Sequence, residues 1–279
     1  NSGRCASDSY PVRCMKDDSL AVSAPQMRVL GVTDTTATSI TVAAEIVGAS
    51  GCEEIKYGFI LGVDEDLNTE NALQDVGQGN DGRAFFKASF TGLDEFHEYC
   101  MRSYIVCESG LEYGDVFKVA TLFDGDIMDL SADGTANSYI VSSYGKYKFK
   151  VAKGNLSSEN LLNVGVADIV WESFGTSEIP KVGDLVRNLT YRDGYIHFDV
   201  LNPFKEGNAL VAGKECSWSS YLWSWHIWLT DEPQEHTYPD GTILMDRNLG
   251  ALSAAPGEVE SLGLMYQWGR KDPFMGSSF

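Results

Sequence analysis

Apolar residues in this sequence come in short runs with a period of two, and that alternation restricts what the chain can become. In Ile55-Lys-Tyr-Gly-Phe-Ile-Leu61, residues Ile55, Tyr57, Phe59 and Leu61 fall on one face of an extended backbone. Tyr99, Met101, Ser103 and Ile105 repeat the pattern. Runs of this kind predict strands at Met27–Val32, Ser39–Val47, Ile55–Leu61, Ala84–Phe90, Tyr99–Cys107 and Val116–Leu122, separated by turns bearing Gly, Asp or Asn. Short strands so closely spaced pack as two sheets face to face, so residues 26–123 are expected to form a β-sandwich.

A second β-rich block follows a short acidic connector. Its expected strands are Ser138–Ser142, Lys146–Ala152, Asp168–Glu172, Asp184–Tyr191, Tyr195–Val200, Ala209–Lys214 and Leu222–Leu229. Tyr191-Arg-Asp-Gly-Tyr195 has the Asp-Gly pair of a tight hairpin. The last strand, Leu-Trp-Ser-Trp-His-Ile-Trp-Leu, holds three of the six tryptophans. It puts Trp223, Trp225 and Ile227 on one face, with Ser224, His226 and Trp228 on the other. A strand apolar on both faces belongs in the middle of a sheet covered on both sides. Residues 129–232 therefore read as a second sandwich.

The two ends of the chain read differently. At the start, 1–18 contains one strand-like stretch, Tyr10-Pro-Val-Arg-Cys-Met-Lys-Asp17, with no core of its own, and 19–25 is a small-residue linker. At the end, 241–279 opens a third module. Ile243-Leu-Met245 is an expected strand, and Glu258–Tyr266 has helical spacing, with Val259, Leu262 and Met265 or Tyr266 on one side. The architecture is thus mainly β: two tandem sandwiches followed by the opening of an α+β module.

Three resemblances attach to these blocks. Thr38-Ser-Ile-Thr-Val42, Tyr57-Gly-Phe59, Thr91-Gly-Leu93, Glu98–Tyr104 and Val119-Ala-Thr121 together resemble a fibronectin type III domain. That resemblance implies that Tyr99 makes a tyrosine corner. In such a sandwich the third strand starts beside the end of the sixth, which makes Cys52 and Cys107 candidates for a disulfide, though alternation puts them on opposite faces unless the strand ends bulge. Met245–Ala251 and Tyr266–Phe274 resemble the opening of the Fibrobacter succinogenes major paralogous domain, a C-type-lectin-like module. Val12–Asp17 resembles that module's closing strand. The chain is therefore expected to carry the tail of one such module and the head of another. The middle block is similar to a companion domain of surface proteins of gut Bacteroidota.

Charge and motifs narrow the function. The net charge of −19 over 279 residues repels phosphate backbones, which disfavours a nucleic-acid partner. No apolar stretch is long enough for a transmembrane helix. The six cysteines lack the spacing of zinc or redox motifs and suit disulfides in an exported protein. No nucleophile elbow, zincin motif or phosphate loop occurs, so neither catalytic residues, cofactor nor metal is expected. Asp64-Glu-Asp-Leu-Asn68 begins like a calcium loop but lacks its Gly and its final Glu, and reads as a solvated loop.

The remaining candidates are aromatic. Flat indole and phenol faces stack on sugar rings. Trp218 and Tyr221, in the turn before the Trp-rich strand, and Trp268 are the candidate ligand-binding residues. Trp223 and Trp225 read as core. His226, alone in an apolar strand, reads as structural, Cys100 as an outward-facing free thiol, and Asp246 with Arg247 as an ion pair holding the third module's opening turn. The expectation is a non-enzymatic adhesin-like protein of the extracellular or outer-membrane surface of a Gram-negative bacterium, with a spacer sandwich presenting a recognition module to a glycan or surface protein. The alternatives are a noncatalytic accessory of a glycan-degrading system, or a structural pilus or surface-layer component.

Overall fold

The computed structural model describes residues 25–47, 54–78, 85–108, 110–154, 162–176, 178 and 180–274. The expected strand at Tyr10–Asp17, nearly all of the linker, and Cys52 lie outside the described residues.

Among the described residues the regular secondary structure is almost wholly β-strand. In the first sandwich β1 (Gln26–Thr35), β2 (Ser39–Val47) and β5 (Phe85–Thr91) form a three-stranded antiparallel sheet in the order β1-β2-β5. It packs on a four-stranded sheet of β4 (Gln74–Gln78), β3 (Lys56–Gly62), β6 (Glu98–Cys107) and β7 (Gly110–Ala120), in the order β4-β3-β6-β7. The alternation in the sequence becomes the core: Ile55, Tyr57, Phe59 and Leu61 meet Ile40, Val42, Phe86, Phe90, Tyr99 and Met101 between the sheets.

The outer face of the larger sheet departs from expectation. Cys100 points away from the main core, yet it is buried with Ile60, Leu67 and Tyr104 in a satellite cluster. The cover comes from the Asp64–Asn68 loop, whose Leu67 is fully buried and whose Leu67 carbonyl accepts the Arg102 guanidinium at 3.1 Å. Asp64, Glu65 and Asp66 of that loop are exposed, as expected of a solvated loop, and Leu67 alone turns down onto the sheet. Strand β4, absent from the sequence reading because its residues are mostly polar, pairs with the edge of β3. Its Asp75 accepts the Tyr104 hydroxyl at 2.7 Å.

In the second sandwich one sheet has the order β12-β13-β10-β8 and the other β11-β14-β15-β9. The strands are β8 (Met128–Asp129), β9 (Ser138–Val141), β10 (Gly145–Lys150), β11 (Val166–Ser173), β12 (Arg187–Arg192), β13 (Tyr195–Val200), β14 (Gly207–Lys214) and β15 (Tyr221–Leu229). Two pairings, β8 with β10 and β9 with β15, are parallel. Asp193 and Gly194 turn the β12–β13 hairpin with φ of 53° and 81°, the left-handed pair such a turn needs. Trp225 and Ile227 join Phe149, Phe198 and Val211 in the core. The strand expected from Asp184 begins only at Arg187. The buried Glu172 carboxylate accepts the N–H groups of Gly183, Leu185 and Val186, so these donors serve a side chain instead of a sheet ladder.

The sandwiches meet at a polar and aromatic junction. Asn202 donates its backbone N–H to Phe96 O at 3.0 Å and its side-chain amide to Glu95 O at 3.1 Å. Arg187 pairs with Glu98 at 2.5 Å, and the Phe96 ring packs on Phe123 at 5.1 Å. Beside this junction lies a cleft of 410 Å³ lined in part by His97, Arg187, Pro203 and Lys205.

After β15 the chain forms a small hairpin of β16 (Glu235–Thr237) and β17 (Ile243–Met245), then runs irregularly back over the second sandwich. The helix expected over Glu258–Tyr266 is one 3-10 turn, Val259–Ser261, the only helical element among the described residues. Gly263 explains the difference. Its φ of 73° is left-handed, and Leu264 then donates its N–H to Leu249 O at 3.1 Å, pulling the backbone out of helical register.

Candidate functional site

Strand β15 organises the site because both its faces are covered, by different things. One face enters the core of the second sandwich: Trp225 is fully buried and donates its indole N–H to Ala152 O at 3.1 Å. The other face, Ser224, His226 and Trp228, is covered by the C-terminal segment. Trp228 is fully buried and donates to Ala251 O at 3.1 Å. The His226 ring bridges Ser138 Oγ and Asn208 Oδ1, each at 2.9 Å, and Asn208 in turn donates to Gly250 O. With Asn208 accepting through Oδ1, the imidazole carries its proton on Nε2 and takes the Ser138 hydroxyl proton on Nδ1. Burial pushes the His226 pKa down to about 4.

The same segment is clamped at its start by Arg247, whose side chain is 5% exposed. It donates to both carboxylates beside it, Asp246 at 2.8 and 3.1 Å and Asp231 through both guanidinium ends, and to Thr230 Oγ1 at 3.2 Å. These bonds raise the guanidinium pKa and hold Asp231 and Asp246 below the ordinary carboxylate range.

The aromatic residues left in water gather at the open end of β15. A bulge between Gly213 and Lys214 sets Gly213 opposite Trp223 and Lys214 opposite Tyr221, leaving Leu222 as the extra residue. The connection from β14 is tied by Ser219, which donates N–H and Oγ to Cys216 O at 3.1 and 2.8 Å, and accepts Cys216 N–H at 3.0 Å. That knot leaves Trp218 outside, 91% exposed. Tyr221 is half exposed, with the Lys214 ammonium 5.0 Å from its ring centre. Trp223 donates its indole N–H to Asn137 Oδ1 at 2.9 Å, with Lys153 and Lys271 at 5.3 and 4.7 Å from its ring.

Lys271 belongs to the C-terminal segment and donates to Ser224 O at 2.8 Å, which brings that segment to the same rim. Three residues before it is Trp268, 100% exposed. The rim therefore combines Trp218, Tyr221 and Trp268 with three lysines. Of these, Lys214 is paired to Asp168 and Lys271 to Asp272, whereas Lys153 has no ion-pair partner among the described residues.

The other sequence candidates lie elsewhere. Tyr99 is buried in the first sandwich, its hydroxyl accepting Asp94 N–H at 2.9 Å. Cys107 ends β6 and is half-buried, while its proposed partner Cys52 is outside the described residues. Among the described residues no group of three or more His, Cys, Asp or Glu is placed to hold a metal ion. No described helix is long and apolar enough to cross a membrane. The lysines of the rim escaped the sequence reading because Lys153, Lys214 and Lys271 come from three separate parts of the chain.

No family model matches the sequence, and no curated protein matches it. Among solved structures, the sensor domain of the anti-sigma factor RsgI4 of Pseudobacteroides cellulosolvens aligns at 13% identity and a TM-score of 0.27, over 37% of this chain and 98% of that one. SGBP-B of the Bacteroides ovatus mixed-linkage glucan utilization locus, in complex with a mixed-linkage heptasaccharide, aligns at 10% identity and a TM-score of 0.20. That alignment covers 72% of this chain and 47% of the other. At such values neither likeness says what this chain binds.

Proposed function

We propose that the chain is a non-catalytic binding protein of the extracellular or outer-membrane surface of a Gram-negative bacterium, and that its ligand is a glycan held on the aromatic rim. The observation that carries the reading is the exposure of Trp218 and Trp268, 91% and 100%. Burying a large aromatic side chain stabilises a fold by about 1.5–3 kcal/mol. This fold takes that gain at Trp225 and Trp228 and forgoes it at two other indoles, one three residues before Tyr221 of β15 and one three residues before Lys271, which contacts β15. Flat, wet aromatic faces suit the C–H faces of sugar rings.

In this scheme residues 26–123 are a fibronectin type III-like spacer, 129–232 a second sandwich, and 241–279 the opening of a C-type-lectin-like module. The three-plus-four strand order and the Tyr99–Asp94 bond support the first assignment. The test is a glycan array probed with the full chain and with a W218A/W268A double variant. The wild type is expected to bind a subset of glycans and the double variant to lose them with an unchanged melting temperature. Equal binding by both overturns the reading.

A second reading rests on Ile243, Leu244 and Met245, each more than 40% exposed on the edge hairpin. Unguarded apolar edges pair with other chains, which favours a structural surface component. Mass photometry showing only monomers at micromolar concentration removes it.

A further inference from the structure

From the shape and charge of the rim, and resting on the glycan reading above, we infer that the ligand is an extended, uncharged polysaccharide chain, gripped along its length rather than by a terminal or single sugar. The shape argument starts from exposure. A side chain with nine-tenths or more of its surface in water stands on a convex surface, so Trp218 and Trp268 each offer a ring face and no enclosing walls. A single sugar stacked there buries one face and still bears the whole cost of immobilisation. Several rings joined in one polymer bear that cost once, and each later stack forms at high effective concentration.

The backbone limits how far each platform can stand from strand β15. Three Cα–Cα steps separate Trp218 from Tyr221 and Trp268 from Lys271, so each pair lies within about 11 Å. Lys271 touches both Ser224 and the Trp223 ring on the strand that starts with Tyr221. The platforms come from different loops, and only a ligand several units long reaches more than one.

The net charge disfavours acidic polymers. The chain carries a net −19, and two of the three rim lysines already have a carboxylate, Asp168 for Lys214 and Asp272 for Lys271. Glu215 is exposed in the same β14–β15 connection. A uronate or sulfated chain therefore meets two cations with no ion-pair partner among the described residues, Lys153 and Arg270, against the field of a chain carrying −19, which reaches furthest at low salt. Neutral hydroxyl-bearing rings carry no such penalty and accept hydrogen bonds from Lys153.

The experiment is calorimetric titration of the full chain with neutral oligosaccharide ladders (gluco-, xylo- and manno-configured, one to eight units). Alongside run the neutral polymers and two anionic ones, polygalacturonate and chondroitin sulfate, at low and high salt. Expected are no saturation by monosaccharides, affinity rising at least tenfold between two and six units in one ladder, and weaker binding of both anionic polymers at low salt. W218A, Y221A and W268A each reduce polymer affinity about tenfold, the loss typical of an aromatic anchor. Their melting temperatures stay at the wild-type value.

A monosaccharide that competes as well as the hexamer overturns the extended-ligand inference and leaves the glycan reading standing. An anionic polymer bound more tightly than every neutral one at low salt overturns the charge inference alone. Absence of binding to every carbohydrate at every length removes the glycan reading itself.

Discussion

Acid should loosen the seam between the second sandwich and the C-terminal segment, because His226 is held neutral there. The ring is 3% exposed and has its pKa pushed down to about 4. In an unfolded chain a histidine titrates near 6.5. A depressed pKa means that the folded state binds fewer protons than the unfolded one. The contribution is therefore fully present above about pH 6.5 and is lost as pH falls toward about 4. The full difference of about 2.5 units corresponds to ~3 kcal/mol. Between pH 7 and pH 5 the linkage relation yields a loss of ~2 kcal/mol from this one group. Glu172 works the other way, since burial raises its pKa and acid favours its folded, protonated form. Comparison with a variant that cannot titrate at this position isolates the histidine. The assay is urea unfolding of wild type and His226→Gln at pH 7 and pH 5. The variant should be less stable at pH 7, because glutamine does not span Ser138 and Asn208, and the gap should narrow by ~2 kcal/mol at pH 5. Parallel losses in the two proteins would show that His226 does not titrate in a buried site, and would refute the reasoning.

Glu172→Ala strips the acceptor from three backbone N–H groups of the Gly183–Val186 loop and should cost about 3 kcal/mol, read by urea unfolding. Because that loop leads to Arg187 and its bond to Glu98, the same variant should widen the inter-sandwich angle distribution in small-angle scattering. Trp228→Ala should destabilise by about 3–5 kcal/mol, since a fully buried indole with a satisfied N–H is removed. Trp218→Ala should change stability by no more than about 0.5 kcal/mol. Equal effects of the two tryptophan substitutions on thermal melts would contradict the assigned burial.

The strands were legible because a half-buried strand writes its face into alternate residues. Ile55 to Leu61 and Trp223 to Ile227 therefore identified their own core positions. Helical spacing at Val259, Leu262 and Met265 carried no such weight, because one left-handed glycine, Gly263, interrupts the backbone whatever the side-chain pattern. The outward strand face at Cys100 misled for a different reason: its cover, Leu67, comes from a loop whose charged residues read as solvated. Polar strands such as β4 are invisible in advance, since the edge of β3 supplies their pairing rather than their own residues.

The candidate site divides along the same line. Its aromatic residues were visible in the sequence, as was the need of β15 for cover on both faces. Which tryptophans are buried and which are exposed was decided by the tertiary structure, since Trp228 and Trp268 differ in what lies against them. The cover for Trp228 is the segment around Ala251, and the two lysines beside Trp223, Lys153 and Lys271, arrive from distant parts of the chain. Periodicity is a local property and is carried by neighbours along the chain. Exposure and charge pairing are properties of the packed surface, and they exist only once remote segments have met.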